Sequence, residues 1–145
     1  KAGIALSDPF CVDRHRGDFR RLVKSLDYVI GNEHEWSSLY QTDLSAALEQ
    51  AAVDCGLVVC TRSGHDVIVV RGEEEAIVPV RRVVPVDATG AGDQFAAGFL
   101  YGLATGQPLA IAGRMGCVAA AEVISHFGAR PEADLKTLFR KEGLI

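Results

Sequence analysis

The 145-residue sequence has no run of roughly 18 consecutive apolar residues, the length that a transmembrane helix requires. Its first ten residues, KAGIALSDPF, lack the basic segment and the long apolar segment of a secretory signal. We therefore predict no membrane association and a cytoplasmic location. The first residue is Lys1 and the only methionine is Met115, so the chain does not begin at an initiator methionine, and we expect a piece of something longer.

The sequence also lacks the patterns of disulfide-rich, zinc-binding and nucleic-acid-binding proteins. None of the four cysteines belongs to a C-x-x-C pair, so we predict reduced thiols. The net charge of −4 and the scattered Lys and Arg residues leave no concentrated basic face, which argues against a nucleic-acid partner. A hydrophobic content of 48% without repeats or linkers predicts a single α/β domain over residues 1–145.

Short β-branched runs alternate with segments of helical periodicity along the chain. The strand-like runs are GIALS, DYVIGN and LVVCT, then DVIVVRGEEEAIVPV as a hairpin turning near Gly72, and a short extended piece at RRVVPV. The first helical segment is FCVDRHRGDFRRLVKSL, and Asp8 and Asp43 are predicted helix caps. Two long helices, Gly92 to about Thr105 and Pro108 to about Ser125, precede a last helix in PEADLKTLFRKE. This order predicts an α/β sheet with helices on both faces and a ligand site beyond its strands' carboxyl ends.

The stretch VVPVDATGAGDQFAAGFLYG carries the strongest functional signal. The small residues from Thr89 to Asp93 place a bare backbone where an extended segment turns into a helix, so unpaired N–H groups face outward at the positive end of the helix dipole. Phosphate is the ligand that such a turn most often binds. The carboxylate of Asp93 would repel phosphate unless it takes a proton from a substrate hydroxyl. An anion hole beside a base is what phosphoryl transfer to an alcohol requires.

Two other interpretations of this turn have to be weighed. Asp93 could simply cap the helix while the glycines permit the turn, because Asp is favoured in first turns. Gly90-x-Gly92 followed by Ala97-Gly98 also loosely matches a dinucleotide-binding fingerprint. That fingerprint should follow the first strand and precede an acidic residue about 20 positions later, and neither condition is met. The cap interpretation therefore remains the alternative.

Several motifs together resemble one kinase family. DATGAGDQFAAGFLYGL closely resembles the C-terminal signature of the ribokinase-like (PfkB-type) carbohydrate and nucleoside kinases. In family order, GNEHE resembles the N-x-x-E motif, VVCTRSG the nucleotide-loop strand, and SHFGAR the loop that closes the nucleotide site. SDPFCVDRHR and GRMGCVAAAEVISHFGARP resemble the bacterial adenosine-kinase-like branch most. The resemblance implies a ribokinase-like three-layer α/β/α sandwich, of which this chain would be the C-terminal, nucleotide-binding part.

The resemblance also implies a role for each matching residue. Asp93 would be the general base, and the backbone of Gly90, Ala91 and Gly92 would form the anion hole. Asn32 and Glu35 would organise Mg²⁺, with Glu35 acting through water. The nucleotide would be lined by Thr61, Ser63, Gly64, Asp66 and Cys117, the last beside the adenine. A monovalent-cation site suited to K⁺ would comprise Asp87, the carbonyl of Thr89, and Val123, His126 and Gly128 of the following loop, with His126 contributing only its backbone.

Structural alternatives and departures from the family pattern accompany these roles. Asn32 and Glu35 could be an ordinary helix start, Thr61 a strand-end hydroxyl and Cys117 a small core residue. Ser63 and Asp66 stand where the family often has glycine, which would loosen nucleotide contacts, although Asp tolerates a left-handed turn better than most residues. Ala88 stands where Thr or Ser is usual, which is harmless if only the backbone is used.

The resemblance implies an ATP-dependent kinase acting on a hydroxyl of a sugar or nucleoside, with adenosine as the leading candidate. Direct transfer needs no covalent intermediate, and no nucleophilic Ser, Cys or His stands out. The family's N-terminal half supplies the substrate pocket and lid, which this chain lacks. We therefore expect the chain alone to be inactive and to self-associate or require an N-terminal half. The alternative is a non-catalytic nucleotide-binding or scaffold module.

Overall fold

A computed structural model describes residues 1–145, and the chain divides into two compact units, Lys1–Ile77 and Val78–Ile145. The sequence predicts a single domain, and the division into two compact units leaves that prediction untested. Among the helices, none combines the length and apolar character that a membrane span demands.

The first unit is built on a mixed five-stranded sheet in the order β1-β2-β3-β4-β5. The strands are β1 (Gly3–Ala5), β2 (Tyr28–Asn32), β3 (Val58–Arg62), β4 (His65–Arg71) and β5 (Glu74–Val78). The first three strands run parallel, whereas β4 is antiparallel to β3. The predicted α/β class and the turn near Gly72, which has a φ of 60°, are both confirmed.

The extended piece predicted at RRVVPV forms no strand. Val84 in its middle is 90% exposed, and Pro85 has no N–H to donate to a neighbouring strand. The β-branched composition alone therefore misled the prediction, because a strand also needs a pairing partner.

Four helices connect the parallel strands. They are α1 (Pro9–Arg14), α2 (Arg16–Val23), α3 (Glu33–Tyr40) and α4 (Leu44–Asp54). The predicted caps are confirmed, since the Asp8 side chain accepts from the Phe10 N–H and Asp43 accepts from the Ala46 N–H. The first helical segment is broken at His15, whose φ of −121° and ψ of 30° leave the helical region.

One apolar cluster holds these helices and strands together. Trp36 of α3 is fully buried, and its indole N–H donates to the carbonyl of Val59 at 3.0 Å. The other buried members of the cluster are Leu6, Val12, Val23, Val29, Leu39, Tyr40, Ala47, Leu48, Ala51, Cys55, Val58 and Cys60. Because Trp36 lies in the first turns of α3, its burial also fixes the position of that helix start at the end of β2.

The second unit consists of α5 (Ala91–Ala104), α6 (Leu109–Val123) and α7 (Leu135–Lys141). The helix pair α5 and α6 packs closely at glycines: a Cβ added to Gly98 would lie 2.5 Å from the carbonyl oxygen of Met115, and one on Gly116 would lie 2.8 Å from the Phe95 ring. The two long helices predicted from periodicity are confirmed. Residues 124–134 form the connection from α6 to α7, without helix or strand.

Candidate active site

The glycine-rich turn of the second unit lies at the start of α5. Gly90 is the N-cap residue with a φ of 82°, and a Cβ there would lie 2.8 Å from the Cβ of Ala129, so only glycine fits both the conformation and the space. The Ala91 N–H donates to the Ala88 carbonyl at 3.2 Å, whereas the N–H groups of Gly90 and Gly92 make no hydrogen bond within the chain. These two amides are free to bind an anion at the positive end of the α5 dipole.

Asp93 is the third residue of α5 and is exposed. Its carboxylate accepts no hydrogen bond, and the N-terminus of α5 has no side-chain cap. In this structure the Asp93 side chain therefore does not perform the capping task of the alternative interpretation. It stands free beside two free backbone amides, which is the arrangement that a base next to an anion hole needs.

Asp87 ties the glycine-rich turn to the loop after α6. Its Oδ1 accepts from the N–H of Thr89 at 2.9 Å and from the Thr89 hydroxyl at 2.6 Å, and its Oδ2 accepts from the N–H of Gly128 at 3.0 Å. The Thr89 hydroxyl, followed by the two backbone donors, lowers the pKa of Asp87 to about 2. The structure thus brings together Asp87, Thr89 and Gly128, three of the residues predicted to hold a monovalent cation.

The remaining residues of that predicted set lie close by in sequence and structure. Val123 ends α6 with a fully buried side chain, so only its carbonyl is available to a ligand. The next carbonyl, that of Ile124, accepts from the N–H of Asp87 at 3.4 Å. An ionised carboxylate among backbone carbonyls is a donor set of hard oxygens, which fits an alkali cation.

The side chain of His126 makes contacts of its own, while its predicted backbone contribution to a cation site stays a prediction. Its Nε2 lies 3.2 Å from Oε1 of Glu122, and its Nδ1 lies 3.2 Å from the carbonyl oxygen of Phe127. These contacts raise the pKa of His126, the Phe127 carbonyl most strongly. The sequence reasoning missed Glu122, which lies in the last turn of α6, four residues before His126 in the following loop.

An open cleft of about 1250 Å³ lies along α6 of the second unit. Cys117 lines it together with Arg81, Arg82, Arg114 and His126. Burial raises the pKa of Cys117 to about 11, so its thiol is neutral at physiological pH and presents a small apolar surface. Cys117 is therefore a wall residue of this open cleft, and its place beside a nucleotide base stays a prediction.

Asn32 and Glu35 meet at the end of β2 in the first unit. The Asn32 N–H and side-chain amide donate to the two oxygens of Glu35 at 2.7 and 3.0 Å, and the Glu35 N–H donates back to Asn32 Oδ1 at 2.9 Å. This reciprocal capping box is the helix-start geometry that was the structural alternative. Thr61 of β3 is paired in register with Asn32 of β2. Asn32, Glu35 and Thr61 therefore lie together at the carboxyl ends of these two parallel strands.

Asn32 and Glu35 also have features that bear on the binding of Mg²⁺. Glu35 is 4% exposed, and burial raises its pKa despite the hydrogen bond from Asn32. Each of its oxygens accepts one hydrogen bond and so keeps an acceptor site for a water. No group of three or more His, Cys, Asp or Glu side chains is arranged so that it could hold a metal ion by itself. The residues fit a magnesium ion held through water and phosphate oxygens, as Mg²⁺ commonly is.

Ser63 and Gly64 form the two-residue turn between β3 and β4. Both have positive φ, 41° and 83°, and the flanking residues Arg62 and His65 are paired. Asp66 lies in β4 and does not have a positive φ, so its tolerance of a left-handed turn is not used. The strained non-glycine position is Ser63, where glycine was expected from the family pattern.

Comparison with known proteins gives consistent matches over most of the chain. Residues 4–136 match the pfkB family of carbohydrate kinases. The chain is 44% identical to a probable sugar kinase from Rhizobium etli, with a TM-score of 0.96 over 99% of this chain and 44% of that one. It is 42% identical to an adenosine kinase from Sinorhizobium meliloti, with a TM-score of 0.93 over 97% of this chain and 44% of that one.

A curated relative shows the same pattern of coverage. An uncharacterized sugar kinase of Archaeoglobus fulgidus is 33% identical over 81% of this chain and 48% of its own length. The chain thus spans less than half the length of each of these three proteins. The α/β fold with its mixed five-stranded sheet matches ribokinase-like structures, among them a ribokinase from Thermotoga maritima with a TM-score of 0.73 over 83% of this chain.

Proposed function

The chain belongs to the pfkB family of carbohydrate kinases, and on that premise we propose that it carries the nucleotide site and catalytic base of an ATP-dependent kinase. The acceptor is a hydroxyl of a sugar or nucleoside, with adenosine as our first candidate. The observation that supports this function best is the free Asp93 carboxylate within one helical turn of two free backbone amides. The 42% identity to a protein described as an adenosine kinase supports the acceptor.

In the proposed mechanism the second unit performs the chemistry. The N–H groups of Gly90 and Gly92, with Ala91 between them, donate to the γ-phosphoryl oxygens and, with the α5 dipole, stabilise the charge of the transition state. Asp93 accepts the proton of the acceptor hydroxyl as its oxygen attacks in line. No side chain of the protein becomes covalently attached to the phosphoryl group.

Other residues hold the nucleotide and the ions. On the first unit, Asn32 and Glu35 would hold Mg²⁺ through water, and the ion would supply positive charge that neutralises the phosphates. Thr61, Ser63, Gly64 and Asp66 of the same unit contact the nucleotide. On the second unit Cys117 flanks the adenine. Asp87, the Thr89 carbonyl and residues Val123, His126 and Gly128 of the second unit would hold K⁺, which would supply further positive charge.

The substrate pocket is proposed to lie outside this chain. Since the chain spans 44% of its solved relatives, the residues that select and cover the acceptor would come from another segment or copy. β1 is an edge strand with a neighbour on one side only, so its other side offers unpaired backbone groups to a further strand. We propose that this edge, in part, accounts for self-association or for pairing with an N-terminal half.

Replacing Asp93 with asparagine in the full-length protein that carries this chain tests the proposed base. The variant keeps the shape of the side chain but cannot accept the proton, so turnover should fall by about 10²–10⁴-fold while ATP binding survives. Steady-state kinetics and titration calorimetry measure the two effects separately. A variant that phosphorylates its acceptor at the parental rate would refute the role of Asp93 and favour a nucleotide-binding module without catalysis.

A further inference from the structure

Glu122 lies in the last turn of α6, and its carboxylate is largely shielded from solvent. Its side chain is 8% exposed, and its Oε1 accepts hydrogen bonds from the N–H groups of Glu132 and Ala133, both at 2.9 Å. The same oxygen lies 3.2 Å from Nε2 of His126. One carboxylate oxygen therefore holds both ends of the segment 126–133, which we call the clamp loop.

Local helix energetics do not favour glutamate at this position. The C-terminus of a helix carries partial negative charge, so an acidic side chain in the last turn is repelled. In addition, Oε2 of Glu122 is buried without a hydrogen-bond partner, which costs free energy. The contacts with the clamp loop must offset both costs, so the residue serves the loop and not the helix.

The middle of the clamp loop contacts the glycine-rich turn. The Gly128 N–H donates to Asp87 at 3.0 Å, and Ala129 packs where a Cβ on Gly90 would otherwise lie. The side-chain amide of Gln94, in the first turn of α5, is 3.4 Å from the carbonyl of Ala129. A displacement of the loop would therefore remove the support of the turn that presents the free amides.

We infer that Glu122 is a positioning residue, which holds the clamp loop so that Gly128 and Ala129 keep the glycine-rich turn Thr89–Gly92, called the anion turn from here on, in its binding geometry. This inference rests on the proposed function, because the bound anion is the phosphate of ATP. Glu122 touches neither nucleotide nor acceptor in this proposal. Its effect reaches the phosphate through the loop, through Asp87 and through Gly90.

Three variants of Glu122 in the full-length protein test the inference. Glu122→Ala removes the hydrogen-bond acceptor, and Glu122→Asp moves the carboxylate away from the clamp loop by one methylene. Both variants should raise the KM for ATP by roughly tenfold, which corresponds to the loss of about one hydrogen bond. Glu122→Gln keeps a carbonyl oxygen for both N–H groups and should restore most of the affinity. The KM for the acceptor should change little in all three.

A control and a second measurement separate positioning from general damage. Glu49 of α4 is an exposed helical glutamate that lies outside the cleft lining and uses no side-chain oxygen in a hydrogen bond, so Glu49→Gln should leave the KM for ATP unchanged. Hydrogen exchange without nucleotide should show that the amides of Glu132 and Ala133 lose protection in Glu122→Ala and Glu122→Asp but keep it in Glu122→Gln.

The outcomes discriminate between this inference and the proposed function. An unchanged KM for ATP in the Ala and Asp variants, or a Gln variant as impaired as Ala, overturns the positioning role. If Glu122→Ala does not fold, the Asp and Gln variants decide by the same criteria. If the parental protein does not use ATP, the proposed function is rejected instead. In that case hydrogen exchange still tests the role of Glu122, because unchanged amide protection in the Ala and Asp variants would show that Glu122 does not anchor the loop.

Discussion

Alanine at Gly90 is the most informative perturbation of the anion turn. Gly90 has a φ of 82°, where a residue with a Cβ is strained by roughly 1–2 kcal/mol. The new Cβ would also lie 2.8 Å from the Cβ and 3.0 Å from the Cα of Ala129, an overlap that typically costs about 1–3 kcal/mol. Gly90→Ala should therefore lower the free energy of unfolding by roughly 2–5 kcal/mol.

Gly92, two residues further on, provides the matched comparison. It lies inside α5 without a positive φ, and a Cβ there would have no atom within 4 Å. Gly92→Val should therefore change stability by less than about 1 kcal/mol, because a helical glycine is itself unfavourable. Its side chain would nevertheless stand where a phosphate approaches the free amides, so ATP affinity should fall roughly tenfold or more, which is at least about 1.4 kcal/mol.

Urea unfolding followed by circular dichroism and titration calorimetry with ATP measure the two quantities. The expected pattern is a loss of both stability and ATP affinity in Gly90→Ala, and a loss of affinity alone in Gly92→Val. If Gly92→Val folds and binds ATP as tightly as the parent does, the glycine-rich turn does not bind the phosphate. If Gly90→Ala is as stable as the parent, the close contact with Ala129 is not what supports the turn.

Three further outcomes are expected. Gly98→Ala should destabilise the α5–α6 pair by about 1–3 kcal/mol in urea unfolding, because its Cβ would meet the Met115 carbonyl at 2.5 Å; an unaffected midpoint would contradict the packing argument. Iodoacetamide at pH 8 should modify the exposed Cys11 well before Cys117, whose pKa of about 11 keeps it a thiol, and equal rates by mass spectrometry would refute this. The 145-residue chain alone should bind ATP weakly, phosphorylate nothing and self-associate in sedimentation, whereas robust phosphorylation by a monomer would overturn the need for a second half.

Much of the fold was predictable because its signals are local. Asp8 and Asp43 cap helices with their own side chains within three residues, and Gly72 marks a turn within one hairpin. The family motifs were recognisable for the same reason, since the anion turn and Asp93 form one continuous segment. Two predictions were wrong. RRVVPV has the composition of a strand but no partner strand, and the helical periodicity of residues 10–26 did not indicate the break at His15.

The amino-acid sequence by itself determined most of the element order, the α/β class, the family and the turn that presents Gly90, Gly92 and Asp93, because the signals for each lie a few positions apart. Only the tertiary structure decided what supports that turn. Asp87 meets Gly128 across 41 positions, and Glu122 reaches Glu132 across ten, in a loop without periodicity. Such contacts form because a carboxylate accepts hydrogen bonds from whichever donors the packed chain brings beside it, and no local pattern encodes that partner.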